Sequence, residues 1–93
     1  MSNDDILEMV KADLQILNHT FDKYLLQLIE VAKIEITREG ITIQDNIDDM
    51  QTIEMYASYL YRKRAEQDTS MPRMLRYRLN NRIWAEHQWM DIE

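Results

Sequence analysis

At 93 residues the chain has room for one domain and little more, since a chain of this size buries only about 60 to 65% of the surface its unfolded form exposes. A hydrophobic share of 45% beside 30% charged residues excludes a disordered polymer, a single Gly and a single Pro exclude an architecture of many tight hairpins, and the lack of cysteine excludes disulfides, thiolate metal ligands and cysteine nucleophiles. The net charge of -6 is unevenly spread: residues 1–61 hold four Lys or Arg against twelve Asp or Glu (-8), residues 62–82 hold seven against two (+5), and the last eleven return to -3. Such segregation favours oriented contacts with acidic groups, on a protein or on nucleic acid.

Residues 1–5 are polar and acidic and no apolar run approaches the ~20 residues of a bilayer span, so neither a signal peptide nor an anchor is expected. Ile6, Leu7, Val10, Leu14 and Leu17 then repeat at helical spacing behind Asn3, Asp4 and Asp5, which suit a helix start. A first helix is predicted from about residue 4 to 17. Asn18, His19 and Thr20 form a polar break, and Phe21, Leu25, Leu28, Ala32 and Ile36 mark a second helix, with Thr20 as its expected cap and Gly40 as its end. Ile41, Thr42 and Ile43 alternate like a strand but have no second strand to pair with, so a loop is expected. Asp45 or Asn46 opens a third helix, with Asp48 and Asp49 in its first turn and apolar residues from Ile47 through Tyr61. Asp68, Thr69 and Ser70 break it, and Pro72 suits the first turn of a fourth helix reaching about residue 87. The expected fold is a small all-α bundle of about four helices in a single domain, residues 1–93.

Two of these helices carry more apolar surface than one core face needs. At about 100° per residue, Met50, Ile53, Met55, Tyr56, Ala57, Tyr59, Leu60 and Tyr61 cover about 240° of the third helix. In the fourth, Leu75, Leu79 and Ile83 share one face while Met74, Tyr77 and Trp84 share another, more than about 120° away. Either the third helix is the central one of the bundle and the fourth covers loose ends, or the second faces pack on neighbouring copies, where Tyr, Trp, Met and Arg are enriched.

Chemistry-bearing patterns are sparse. His19 and His87 stand in no ligand spacing and read as a linker and a helix-surface residue, and without cysteine a structural zinc site is not expected. The acidic pairs Asp4 with Asp5 and Asp48 with Asp49 sit where helix starts favour negative charge, so they read as caps rather than acid–base pairs. Residues 45–49 resemble a calcium loop only until Met50, where an EF-hand requires glycine. No catalytic, cofactor or metal site is expected, and hence no enzyme. Arg62, Lys63, Arg64, Arg73, Arg76, Arg78 and Arg82 form the one charge cluster: they pair with the acidic first half, dock carboxylates of another protein, or meet phosphates. The acidity of the whole chain weighs against the last, which would make the chain a helical nucleic-acid-binding module.

The run Met55, Tyr56, Ala57, Ser58, Tyr59, Leu60, Tyr61, Arg62, Lys63, Arg64, followed by Met71, Pro72, Arg73, Met74, Leu75, Arg76, Tyr77 and by Leu79, Asn80, Asn81, Arg82, resembles the head-tail connector proteins, also called head-completion or adaptor proteins, of long-tailed bacteriophages and prophages. The opening amphipathic helix and the segment Leu28, Ile29, Glu30, Val31, Ala32 extend the likeness over about residues 4–87. The resemblance implies a helical subunit of a ring of about a dozen copies, seated beneath the portal protein at the capsid vertex and meeting tail-side completion proteins. DNA would pass through its channel without sequence-specific binding. It implies a place in the virion, in the host cytoplasm during assembly, no membrane and no cofactor. On this reading Tyr56, Tyr59, Tyr61, Met74, Tyr77 and Trp84 are candidate packing residues and Arg73, Arg76 and Arg82 candidate partner contacts. Carboxylates such as Glu30, Glu35 and Glu54 are expected to line the lumen and repel passing phosphates.

Overall fold

Helix-forming periodicity governs almost the whole chain, and the computed structural model, which describes residues 2–66 and 69–91 with 88–91 by backbone alone, folds as α1 (Asn3–Leu14), α2 (Asp22–Arg38), α3 (Ile47–Ala65) and α4 (Arg73–Asp91). No strand occurs among the described residues, and residues 41–44 are loop. The protein is an all-α bundle.

The ends of the helices follow local chemistry, with several departures from the sequence reading, among them an α4 that runs to Asp91 where an end near residue 87 is expected. Ser2, not the acidic cluster behind it, caps α1: its Oγ accepts from the Asp5 amide at 3.2 Å, leaving Asp4 and Asp5 to face the helix dipole from the first turn. α1 stops at Leu14 because Gln15 turns left-handed (φ 59) and the Ile16 amide bonds back to the Lys11 carbonyl at 2.9 Å. Leu17 therefore leaves the predicted stripe and stands 95% exposed. Thr20 does not cap α2: the Asn18 side chain accepts its amide at 3.1 Å in a local turn, and Phe21 takes the cap position with no side-chain bond. Gly40, at φ 97, closes the far end of α2.

Asn46 opens α3 as expected, accepting from the Asp49 amide at 2.7 Å. The basic last turn of α3, with Arg62, Lys63 and Arg64, complements its dipole. Pro72 lies one position ahead of α4 and offers its carbonyl to the Arg76 amide at 3.1 Å. Asp68, read as part of the preceding break, lies outside the described residues.

α3 is the central helix, packed against α1, α2 and α4. Ile6 and Val10 of α1, Leu25, Ile29 and Ile36 of α2, and Ile53 and Ala57 of α3 are sealed in a common core, joined by Leu75 and Leu79 of α4. Each such aliphatic side chain contributes roughly 1.5 to 3 kcal/mol. Ala57 and Ser58 are fully covered, which lets neighbouring helices approach the middle of α3 closely. Much of the apolar surplus of this helix is absorbed inside the bundle through Ile53, Tyr56, Ala57 and Tyr59, whereas Ile47 at its start stays exposed, as do Val31 and Ile34 of α2 and the outer residues of α4.

α4 lies on one side of this core. Leu75 and Leu79 point inward, and four arginine contacts reinforce the attachment: Arg76 to Glu39 at 2.6 Å, Arg78 to Asp48 and Gln51 at 3.2 Å each, and Arg82 to Asp49. The loop after α2 is tied to the same helix, since Glu86 accepts from the Thr42 amide at 3.0 Å and Arg82 donates to the Thr42 carbonyl at 2.7 Å. The resulting body is flat and long, 49 × 30 × 17 Å.

Candidate partner-binding face

On α4 the side chains of Met74, Tyr77, Asn81 and Trp84 fall within about 80° of arc, opposite Leu75 and Leu79. Met74 is 66% exposed, Tyr77 65% and Trp84 64%. Two aromatic rings and a thioether share this one exposed stripe, whereas the other large exposed apolar side chains, Leu17, Phe21, Val31, Ile34 and Ile47, nowhere bring two aromatic rings together on one helix face. Between this stripe and α3 runs a shallow groove with Asp48, Thr52, Met74, Tyr77, Arg78 and Arg82 in its walls. Met74 and Arg78 also wall a second groove, completed by Met9 and Asp13 of α1 and by Gln51, Glu54 and Met55 of α3.

The other candidates are distributed differently. Tyr56 and Tyr59 lie in the protomer's own core, 7% and 8% exposed, with their rings edge-to-face at 6.0 Å between centroids. They are not part of an open packing face, because the central position of α3 covers both. Burial first, then the nearby Glu35 and Glu39 carboxylates, raises the Tyr56 hydroxyl above its usual range. Tyr61 is half-buried against Tyr24 at 6.3 Å.

Arg76 and Arg82, expected to reach outward, are turned onto the protein's own carboxylates. Arg82 holds both oxygens of Asp49, at 2.9 and 3.1 Å, and Asp49 is 4% exposed. Burial pushes the Asp49 carboxyl up, but the Arg82 guanidinium and the Gln44 amide, 2.7 Å away, outweigh it and hold the group below the usual carboxylate range. The bond to Asp49 raises Arg82 in turn. Arg73 is exposed and makes no ion pair among the described residues.

Four of the seven cations of the basic segment therefore meet the chain's own carboxylates. Arg62 meets Asp13 at 3.6 Å, and Arg76, Arg78 and Arg82 meet Glu39, Asp48 and Asp49. Lys63 and Arg64 lie over the rings of Tyr59 and Tyr24, each 5.7 Å from the centroid. Among the described residues no group of three or more His, Asp or Glu is placed to hold a metal ion. His19 contacts Lys11 and Asp22, and His87 is exposed beside Gly40.

Two functional-looking groups escaped the sequence reading. Asp49 was assigned to capping, yet it anchors α4; the Arg82 partner 33 residues away leaves no local signal. Glu54, expected on a lumen wall, is 8% exposed and is thus unavailable to passing DNA in the protomer. Burial first, then the neighbouring Asp13 carboxyl, raises its carboxyl to about 7, against the Ser58 hydroxyl that donates to it at 3.0 Å. Of the other two lumen candidates, Glu35 is paired with Arg38 at 3.1 Å and Glu30 accepts from Asn3 at 2.7 Å. No helix of the described residues is long and apolar enough to cross a membrane. The chain matches no protein-family model, no curated protein and no solved structure.

Proposed function

We propose that this chain is a structural, non-catalytic subunit that works by assembling with other protein chains, as a ring component of a phage head-tail connector beneath the portal. The observation that carries this reading is the bare outer stripe of α4, where Met74, Tyr77 and Trp84 stand about two-thirds exposed on a protomer whose core is already closed by other residues. Covering each would be worth on the order of 1 to 2 kcal/mol. The similarity of residues 55–64 and 71–82 to the connector proteins falls on α3, the central helix, and on α4, which carries this stripe. The internal pairing of Arg62, Arg76, Arg78 and Arg82 favours protein contacts over phosphate contacts, because cations already matched to carboxylates release few counterions on binding DNA.

The test is assembly of the purified chain, alone and with the portal protein of the same virus or prophage, followed by solution mass across concentration and negative-stain microscopy. Wild type is expected in rings, at least on the portal. The double variant Tyr77→Glu, Trp84→Glu is expected to keep its helical circular dichroism and lose assembly. Unimpaired assembly of that variant, or duplex DNA binding by the isolated chain with a steep salt dependence, would overturn the proposal.

A further inference from the structure

A ring built from one repeating contact needs two different faces on each copy, one to offer and one to receive. The α4 stripe is one such face. On α2, Gln27, Val31, Ile34 and Arg38 fall within about 60° of arc, turned away from the core residues Leu25, Ile29 and Ile36. Val31 and Ile34 stand about half exposed at its centre. Ile34 also lines a shallow recess with Thr37, Lys33 and Arg38. Apolar surface bordered by two cations suits an aromatic ring better than an aliphatic chain, because the face of a ring also attracts the cations. Charge points the same way. Arg38 is held by Glu35 at 3.1 Å, Lys33 is bonded to Asn3, and Lys23 lies about 16 Å along the axis from Ile34. Glu30, by contrast, has only the neutral Asn3 amide as its donor, at 2.7 Å. Asp4 and Glu8, on the side of α1 that Lys11 turns to α2, are exposed and meet no cation among the described residues. At the border of the α4 stripe stands the opposite charge, the exposed and unpaired Arg73.

We propose that the outer face of α2 receives the α4 stripe of a second copy of this chain, head to tail, with an aromatic ring of the stripe over Ile34 and Arg73 toward Glu30 and the acids of α1. This rests on the assembly reading above and adds to it the surface that the stripe meets. A stripe-on-stripe contact satisfies less: the described side chains of the stripe offer Arg73 no carboxylate, and the α2 face stays bare. It also ends at a pair, because a two-fold contact uses up the one stripe of each copy. α2 and α4 are separate surfaces, each packed on α3, so a contact between them leaves one face of each kind free at the ends of the growing assembly. At 1.5 Å per residue both helices offer about 25 Å or more of length, enough for one to lie along the other.

The chain has no cysteine, so introduced thiols report the contact directly. Ile34→Cys and Tyr77→Cys are made singly and together, checked for helical circular dichroism, and joined with a short bis-maleimide under the conditions where wild type assembles. The double variant is expected to give a ladder of dimers, trimers and longer species. An equimolar mixture of the two single variants is expected to stop at dimers, and each single variant to stay uncrosslinked. Ile34→Cys with Trp84→Cys repeats the test with the Tyr77 ring intact. Ile34→Glu is expected to raise the concentration at which assembly begins on the order of tenfold or more, since it places a charge beneath the incoming ring. Dimers from Tyr77→Cys or Trp84→Cys alone overturn the inference in favour of stripe on stripe, and leave the assembly reading standing. Wild-type assembly without crosslinks in either mixture, or undiminished assembly of folded Ile34→Glu, overturns it as well and moves the partner of the stripe to another surface. A wild type that stays monomeric by solution mass, alone and with the portal protein, removes the assembly reading and this inference with it.

Discussion

Removing the guanidinium of Arg82 is expected to loosen the helix that carries the exposed stripe. In Arg82→Met the aliphatic stem survives, but Asp49 loses both of its bonds to the guanidinium, at 2.9 and 3.1 Å, and the Thr42 carbonyl loses its donor at 2.7 Å. Hydrogen bonds to charged groups contribute roughly 1.5 to 3 kcal/mol each. A fully buried carboxylate left alone costs roughly 3 to 5 kcal/mol. The Arg82 side chain is 20% exposed and the Asp49 side chain 5%, so water enters partway and the Gln44 amide still serves Asp49. The expected loss is therefore about 3 kcal/mol, measured by urea unfolding at pH 7 with circular dichroism. Arg82→Lys keeps the charge but cannot bridge Asp49 and Thr42 together, and should lose about half as much. The pH dependence supplies a sign check. Asp49 is held below its ordinary 3.8, so its contribution is present above that value and fades as pH falls through the lower folded value. Wild type and Arg82→Met should then converge in acid. A loss under about 0.5 kcal/mol at pH 7 would refute the reasoning, by showing that the pair is a solvent-screened surface contact.

Further outcomes follow from the same structure. The Glu54 carboxyl is raised from 4.5 to about 7, so the folded state gains most below pH 4.5 and loses that advantage as pH rises through 7; wild type should weaken by about 2 to 3 kcal/mol across this window in urea titrations, and Glu54→Gln should not. Leu79→Ala, at a fully sealed position, should cost about 2 to 5 kcal/mol, whereas Tyr77→Ala two residues away should stay within about 0.5 kcal/mol in the monomer, both read from unfolding midpoints. Gly40→Ala should cost about 1 kcal/mol or more, because its φ of 97 strains any L side chain while the added methyl meets only His87, at an ordinary 3.6 Å. Leu17→Ser should leave the melting temperature unchanged, since Leu17 packs on almost nothing.

The fold was legible because its signals are local. Apolar spacing gives each of the four helices away, and Asn46 and Gly40 mark boundaries through bonds made within a few residues. Where boundaries slipped, several local solutions competed: Ser2 took the cap from the acids behind it, and Gln15 ended α1 without a glycine to announce it. The candidate face was half legible. The two-sided character of α4 was visible in Met74, Tyr77 and Trp84, while much of the similar excess on α3 belongs to the core, where Ile53, Tyr56, Ala57 and Tyr59 are buried. A central helix and an interface helix present the same pattern, and only the neighbours distinguish them.

By itself the amino-acid order determined what depends on nearby residues: helical periods, caps, the separation of acidic from basic halves, and a second apolar stripe on α4. The tertiary structure alone decided what depends on distant ones. It placed Tyr56 and Tyr59 inside, turned Arg76 and Arg82 onto Glu39 and Asp49, and buried Glu54 with Ser58 as its donor. The physical reason is that a helix fixes which residues share a face, while the choice of face to bury, and the dielectric around each charge, is set by whatever the rest of the chain packs against it.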